Sequence, residues 1–124
     1  MATVEITEAN FEEIVSGNDM VLLDFWASWC GPCMTFGPIF EKVSEQFPDV
    51  VFGKIDTEAQ QALAATFHIQ SIPTLMVIRE QVVLFNQAGA LPEAALLEVT
   101  TKALELDMEE VHRDIAAQSA GVDE

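Results

Sequence analysis

The chain has 124 residues, half of them hydrophobic, which suffices for one globular domain with a real core. Its 21 Asp and Glu against 5 Lys and Arg set the formal net charge at -16, which argues against a nucleic-acid footprint or binding to an anionic membrane surface. The apolar runs are far too short to span a bilayer. Residues 1–6 show no export signal, and two cysteines in such a chain fit a reducing cytosol.

Residues 4–6 read as a short strand. Thr7 is expected to cap a helix over 8–16, with Phe11, Ile14 and Val15 inward and Gly17 ending it. The stretch 21–27 is apolar on both alternating faces apart from Asp24, which is the pattern of a central strand covered on both sides. A helix then follows Cys30 through Ile39, Phe40, Val43 and Phe47 to a stop at Pro48, with a kink expected at Gly37-Pro38. Residues 50–56 form the next strand, and Thr57 to Gln60 read as a capping box for a helix reaching about Phe67. Residues 74–79 and 82–87 make an antiparallel hairpin whose connector, Glu80-Gln81, lacks glycine and asparagine and so suits a primed turn poorly. A helix starts near Pro92. Alternating strands and helices followed by a hairpin predict an α/β fold with a mixed sheet.

The segment Trp29-Cys30-Gly31-Pro32-Cys33 holds both cysteines. A disulfide between them closes a ring of four residues, too short to restrain the unfolded chain much. It suits a reversible two-electron site, because attack by one thiolate leaves the other in reach to resolve the mixed disulfide. A zinc site needs four ligands; there is no second cysteine pair, and His68 and His112 lie far apart. Cys30 falls at the start of a helix, whose free amides and dipole stabilise a thiolate. Pro32 suits the first helical turn. Cys33, one turn on, should be less exposed, so Cys30 is the expected attacker and Cys33 the resolver. Asp24 is costly to ionise in such a strand and should titrate high. By alternation it points under the helix of the cysteines, where it could accept a proton from Cys33, or simply be held by hydrogen bonds. Lys54, in the next strand, is the basic group placed to partner it. His68 reads as a partner for a helix C-terminus. Trp29 could pack inward or form a contact surface, and Pro73, judged alone, is expected to be trans.

The string Asp24 to Cys33, then Pro38, Lys54-Ile55-Asp56, Ile72-Pro73-Thr74-Leu75 and Gly89-Ala90, resembles the bacterial-type thioredoxin family over about residues 3–105. The resemblance implies a five-stranded mixed sheet flanked by four helices. It implies attack by Cys30, resolution by Cys33, and proton transfer supported by Asp24 and Lys54. It makes Pro73 cis and assigns Trp29, Gly31, Pro32, Ile72, Pro73, Gly89 and Ala90 to a patch that docks an extended substrate strand. It further implies disulfide-containing protein substrates, a flavin- and NADPH-dependent thioredoxin reductase, no cofactor of its own, and a cytoplasmic monomer. A thioredoxin-fold binding subunit or chaperone is the competing reading; an oxidising isomerase is disfavoured by Pro32.

Three features depart from the pattern. Met34 stands where a Lys or Arg is usual, Arg79-Glu80-Gln81 replaces a glycine-bearing turn, and the chain runs past the ordinary end of the fold. That division sets a domain at 1–105 and an extension at 106–124. In the extension, Asp107 should cap a helix carrying a stripe of Leu104, Met108, Val111 and Ile115, with a disordered end at 118–124.

Overall fold

In the computed structural model, which describes residues 2–122, the apolar run of the sequence becomes the middle strand of a five-stranded sheet. The strands are β1 (Thr3–Glu5), β2 (Met20–Trp26), β3 (Val51–Asp56), β4 (Thr74–Arg79) and β5 (Val82–Ala88), in the order β1-β3-β2-β4-β5. The first three run parallel, while β4 pairs antiparallel with both β2 and β5. The helices are α1 (Phe11–Gly17), α2 (Gly31–Ser44), α3 (Gln61–Thr66), α4 (Glu93–Glu105) and α5 (Met108–Val122). The mixed sheet and flanking helices are those the sequence predicts.

Alternation along β2 divides the core. Met20 and Leu22 face Phe36 and Phe40 of α2, Phe52 of β3 and Leu96 of α4. Val21, Leu23 and Phe25 face Val15 of α1, Leu63 of α3 and Met76 of β4. Each fully buried large side chain in these layers contributes about 1.5–3 kcal/mol. Being covered on both faces is what holds β2, and therefore the residue that follows it, in one place.

Several boundaries differ from the sequence reading. Helix α1 starts at Phe11 and Thr7 does not cap it; the Asn10 side chain instead accepts a hydrogen bond from Thr7 N at 2.8 Å, closing a turn ahead of the helix. Helix α3 starts at Gln61 rather than at the expected capping box. Asp56 Oδ1 accepts from Glu58 N at 2.9 Å, and Thr57 Oγ1 donates to Trp26 O, so a local turn takes the groups a cap would have used. Helix α2 runs through Pro38 and ends at Ser44, beyond which tighter turns formed by Gln46 and Phe47 lead to Pro48. His68 follows α3 at φ 54 with Ile69 N bonded to Ala64 O, so its backbone forms a helix-ending motif usually given to glycine.

The hairpin turn is of the primed type after all. Glu80 and Gln81 both have positive φ, 50 and 65 degrees, between Arg79 and Val82, which pair directly. Tertiary bonds offset the strain of two non-glycine residues in that conformation. Glu80 N donates to Asp19 O at 2.8 Å. Arg79 Nε donates to Asp19, and its Nη1 donates to the carbonyls of Ala103, Leu104 and Leu106 at the end of α4. His112 Nε2 of α5 lies 2.9 Å from Glu80 Oε1. Asp107 caps α5 through Glu110 N as expected, and Met108 is buried while Leu104 and Ile115 are exposed. The helix continues to Val122 over much of the stretch expected to be disordered; residues 123 and 124 lie outside the described residues.

Arg79 thus ties the hairpin to the end of α4 and satisfies carbonyls that the helix leaves open. Arg79→Ala should lower the unfolding free energy by about 1–3 kcal/mol in chemical denaturation, with the redox activity unchanged.

Candidate active site

Strand β2 ends at Trp26, and Cys30 N bonds back to Ala27 O at 3.2 Å, so the chain turns sharply into α2. Cys30 is the N-cap of that helix; its Sγ accepts from Cys33 N at 3.2 Å and lies 3.6 Å from Ile72 O. Cys30 and Cys33 are joined as a disulfide with Cα atoms 5.2 Å apart. Cys30 is 5 % exposed and Cys33 1 %, the order expected of an outer and an inner sulfur. On reduction, a thiolate at Cys30 sits on the free amides and the positive end of α2.

The residues assigned to docking surround this pair. Gly31 and Pro32 are exposed, and Trp29 is 69 % exposed, with its Nε1 donating to Glu58 Oε1. The indole therefore lies at the surface rather than in the core. The Ile72–Pro73 bond is cis, as the resemblance implies and contrary to the expectation for Pro73 taken alone. Ile72 is half-buried and Pro73 itself is buried. Gly89 N donates to Pro73 O at 2.8 Å, which brings Gly89 and Ala90 to the same rim. Gly89 has φ 106, a conformation that a side chain would strain. Met34 is also exposed, so that position of the rim is apolar rather than cationic.

Asp24 is fully buried, and neither carboxylate oxygen has a hydrogen-bond partner among the described residues. Burial pushes its pKa up to about 7, while the charge of Lys54 acts to lower it. Lys54 stands opposite Asp24 in the β2–β3 register, but its ammonium lies over the Trp26 ring, 5.0 Å from the centroid. The lysine therefore acts on Asp24 through its field and not through a direct bond. The sequence-named residues are thus brought together: the disulfide and its rim outside, Asp24 and Lys54 beneath.

Two groups escaped the sequence reading. Glu58, just after β3, accepts the hydrogen bond of the Trp29 indole. Glu41 lies two turns beyond Cys33, and its Oε2 accepts from Thr3 Oγ1 at 3.0 Å. Cys33, Met34, Gly37, Pro38, Glu41 and Lys54 line a cleft of about 320 Å³. The spacing of Cys33, Gly37 and Glu41, four residues apart each time, was the available signal, since it places all three on one helical stripe. A larger cleft of about 430 Å³ lies between β5 and α4, away from the cysteines, with Glu98 and Lys102 as its charged groups.

The family model described as thioredoxin matches residues 2–102. A Streptomyces coelicolor protein provisionally named thioredoxin 2 is 59% identical over 96% of this chain and 89% of its own length, so the likeness extends well into α5. Haemophilus influenzae thioredoxin is 40% identical over 75% of this chain and 89% of its own. Among solved structures, a thioredoxin variant from Halobacterium salinarum has a TM-score of 0.77 at 32% identity, covering 85% of this chain and 92% of that one. Spinach chloroplast thioredoxin f, in its short form, has a TM-score of 0.76 at 32% identity, covering 84% and 96%.

The raised pKa of Asp24 makes stability depend on pH. Folding favours the protonated form, so this contribution is fully present below 3.8 and is lost as pH rises from there through about 7. Asp24→Asn should remove that dependence and add about 2–4 kcal/mol above pH 7, the lower figure allowing for an amide buried without a partner. Denaturation at pH 5 and pH 8.5, with NMR titration of the Asp24 carboxyl, checks both statements.

Proposed function

Because this chain belongs to the thioredoxin family and is a thiol-disulfide oxidoreductase, we propose that it serves as a protein-disulfide reductase and electron carrier. The observation that carries this reading is the placement of the pair at the start of α2: an outer sulfur on the helix amides and an inner one behind it, beside the exposed Trp29, Gly31 and Pro32.

The reduced protein begins with the Cys30 thiolate, which attacks one sulfur of a substrate disulfide. A mixed disulfide forms and the second substrate sulfur leaves as a thiolate, taking up a proton. Asp24, as carboxylate, then accepts the proton of the Cys33 thiol. The Cys33 thiolate attacks Cys30 Sγ, closes the Cys30–Cys33 disulfide and releases the first substrate sulfur. Two electrons have moved from the protein dithiol to the substrate. A pKa near 7 lets Asp24 take and return a proton at neutral pH. Lys54 supports the ionised state of Asp24 through its charge.

The docking reading is that an extended substrate strand lies across Trp29, Gly31, Pro32, Ile72, Pro73, Gly89 and Ala90. The Ile72 carbonyl supports it, being next to Cys30 Sγ at the rim. An NADPH-dependent thioredoxin reductase would return the electrons, and the setting would be a cytoplasmic monomer, consistent with a chain in which no described helix is long and apolar enough to cross a membrane. The catalytic unit is assigned to residues 1–105 and α5 to an extension.

With NADPH and a thioredoxin reductase, the protein should reduce insulin disulfides. Cys30→Ser should abolish turnover, whereas Cys33→Ser should accumulate mixed disulfides through Cys30, read by mass spectrometry. Equal trapping by Cys33 in the Cys30→Ser variant would reverse the assignment. Removing residues 107–124 takes away six acids and one arginine, leaving a formal charge of about -11. Turnover should stay within about threefold of the full chain while stability falls through loss of buried Met108; a tenfold fall with an intact circular-dichroism spectrum would give the extension a role in catalysis.

A further inference from the structure

We propose that Glu41 is a positioning residue for the resolving step, an outer carboxylate that shares Lys54 with Asp24 across the cleft beside Cys33. The proposal rests on the reading of Asp24 as the proton acceptor for Cys33.

Geometry brings Lys54 to the helix midway between the two groups. A Cβ built on Gly37 would stand 3.4 Å from Lys54 Nζ, so the ammonium reaches the backbone of α2 at the residue without a side chain. Cys33 is four residues before Gly37 and Glu41 four after it, about 6 Å along the axis in each direction. All four residues line the same cleft. Glu41 is anchored from outside the helix: Thr3 Oγ1 of β1 donates to its Oε2. Its Oε1 is buried and has no hydrogen-bond partner among the described residues. A buried carboxylate oxygen without a donor is costly, and a flexible ammonium in the same cleft is the group that can meet it.

The other charges around Lys54 are less suited. Glu5 of β1 pairs with Lys54 in register but is exposed. Asp56, two residues along β3, already accepts from Glu58 N. Lys42, the cation next to Glu41 in sequence, is engaged by Glu93 at 3.0 Å. Lys54 thus has an inner carboxylate at Asp24 and an outer one at Glu41. When Asp24 is neutral, the charge of Glu41, which makes no direct bond to Lys54, draws the ammonium outward. When Asp24 takes the charge, during transfer of the Cys33 proton, the ammonium can shift inward, and the proton count is unchanged by this movement.

Removing the outer charge should leave Lys54 to Asp24 alone and favour its ionised form. In Glu41→Gln, the acid limb of the resolving rate, followed as release of the second thiol from a chromogenic disulfide, should move to lower pH by about 0.5–1 unit. The NMR titration of the Asp24 carboxyl should move with it. Thr3→Val, which frees Glu41 from its anchor, should give a smaller shift of the same sign and carries the test if Glu41→Gln does not fold. In a Lys54→Met background the effect of Glu41→Gln should fall to less than half, which a merely structural role would not produce. An unmoved limb and an unmoved Asp24 titration in folded Glu41→Gln would overturn the proposal, as would shifts of equal size with and without Lys54. Asp24→Asn separates the two levels: if it abolishes the limb while Glu41→Gln leaves it in place, only the role of Glu41 fails; if it leaves the limb intact, the reading of Asp24 fails and this proposal with it.

Discussion

The structure depends on one constraint: β2 is hydrogen-bonded on both edges and covered by helices on both faces. A strand so enclosed cannot slip, because a shift of one residue would exchange its two apolar faces. Cys30 therefore emerges at a fixed point, where the chain turns at once into α2 and the helix amides meet the sulfur. The same alternation puts Asp24 under α2. A carboxylate is expensive there, and that expense is what brings its titration near neutrality.

Charge is distributed in a way that the net value of -16 conceals. Arg79 is spent on the end of α4 and on Asp19, far from the disulfide. Lys42 is held by Glu93. Lys54 is half-buried beneath the site, facing Trp26 and the cleft. With Met34 on the rim and Glu58 on Trp29, the surface around the disulfide is apolar to acidic. The positive influence on the redox pair thus comes from below, through the helix amides and Lys54, and not from the exposed rim.

The two departures at the far end of the molecule are coupled. A turn without glycine holds two residues in the left-handed region, and it does so where β4, the end of α4 and α5 meet. Arg79 bonds three carbonyls, and Glu80 meets His112 of α5. A glycine would relax that turn but offer no side chain to α5. Residues that look unsuitable for a tight turn in isolation are the ones that meet α5.

The sequence by itself determined the class of fold, the order of strands and helices, the redox pair, the burial of Asp24 and the capping of α5 by Asp107. All of these rest on local pattern: alternation, periodicity, a motif of adjacent residues. Only the tertiary structure decided where α1 and α3 begin, because the hydrogen bonds of Thr7, Asn10, Asp56 and Thr57 compete among helix, turn and neighbouring strand. It alone made the Glu80-Gln81 turn primed, tied Thr3 to Glu41, and joined Glu41 and Lys54 at one cleft. Those outcomes depend on contacts between residues far apart in the chain, and no local pattern records which distant partner a side chain will meet.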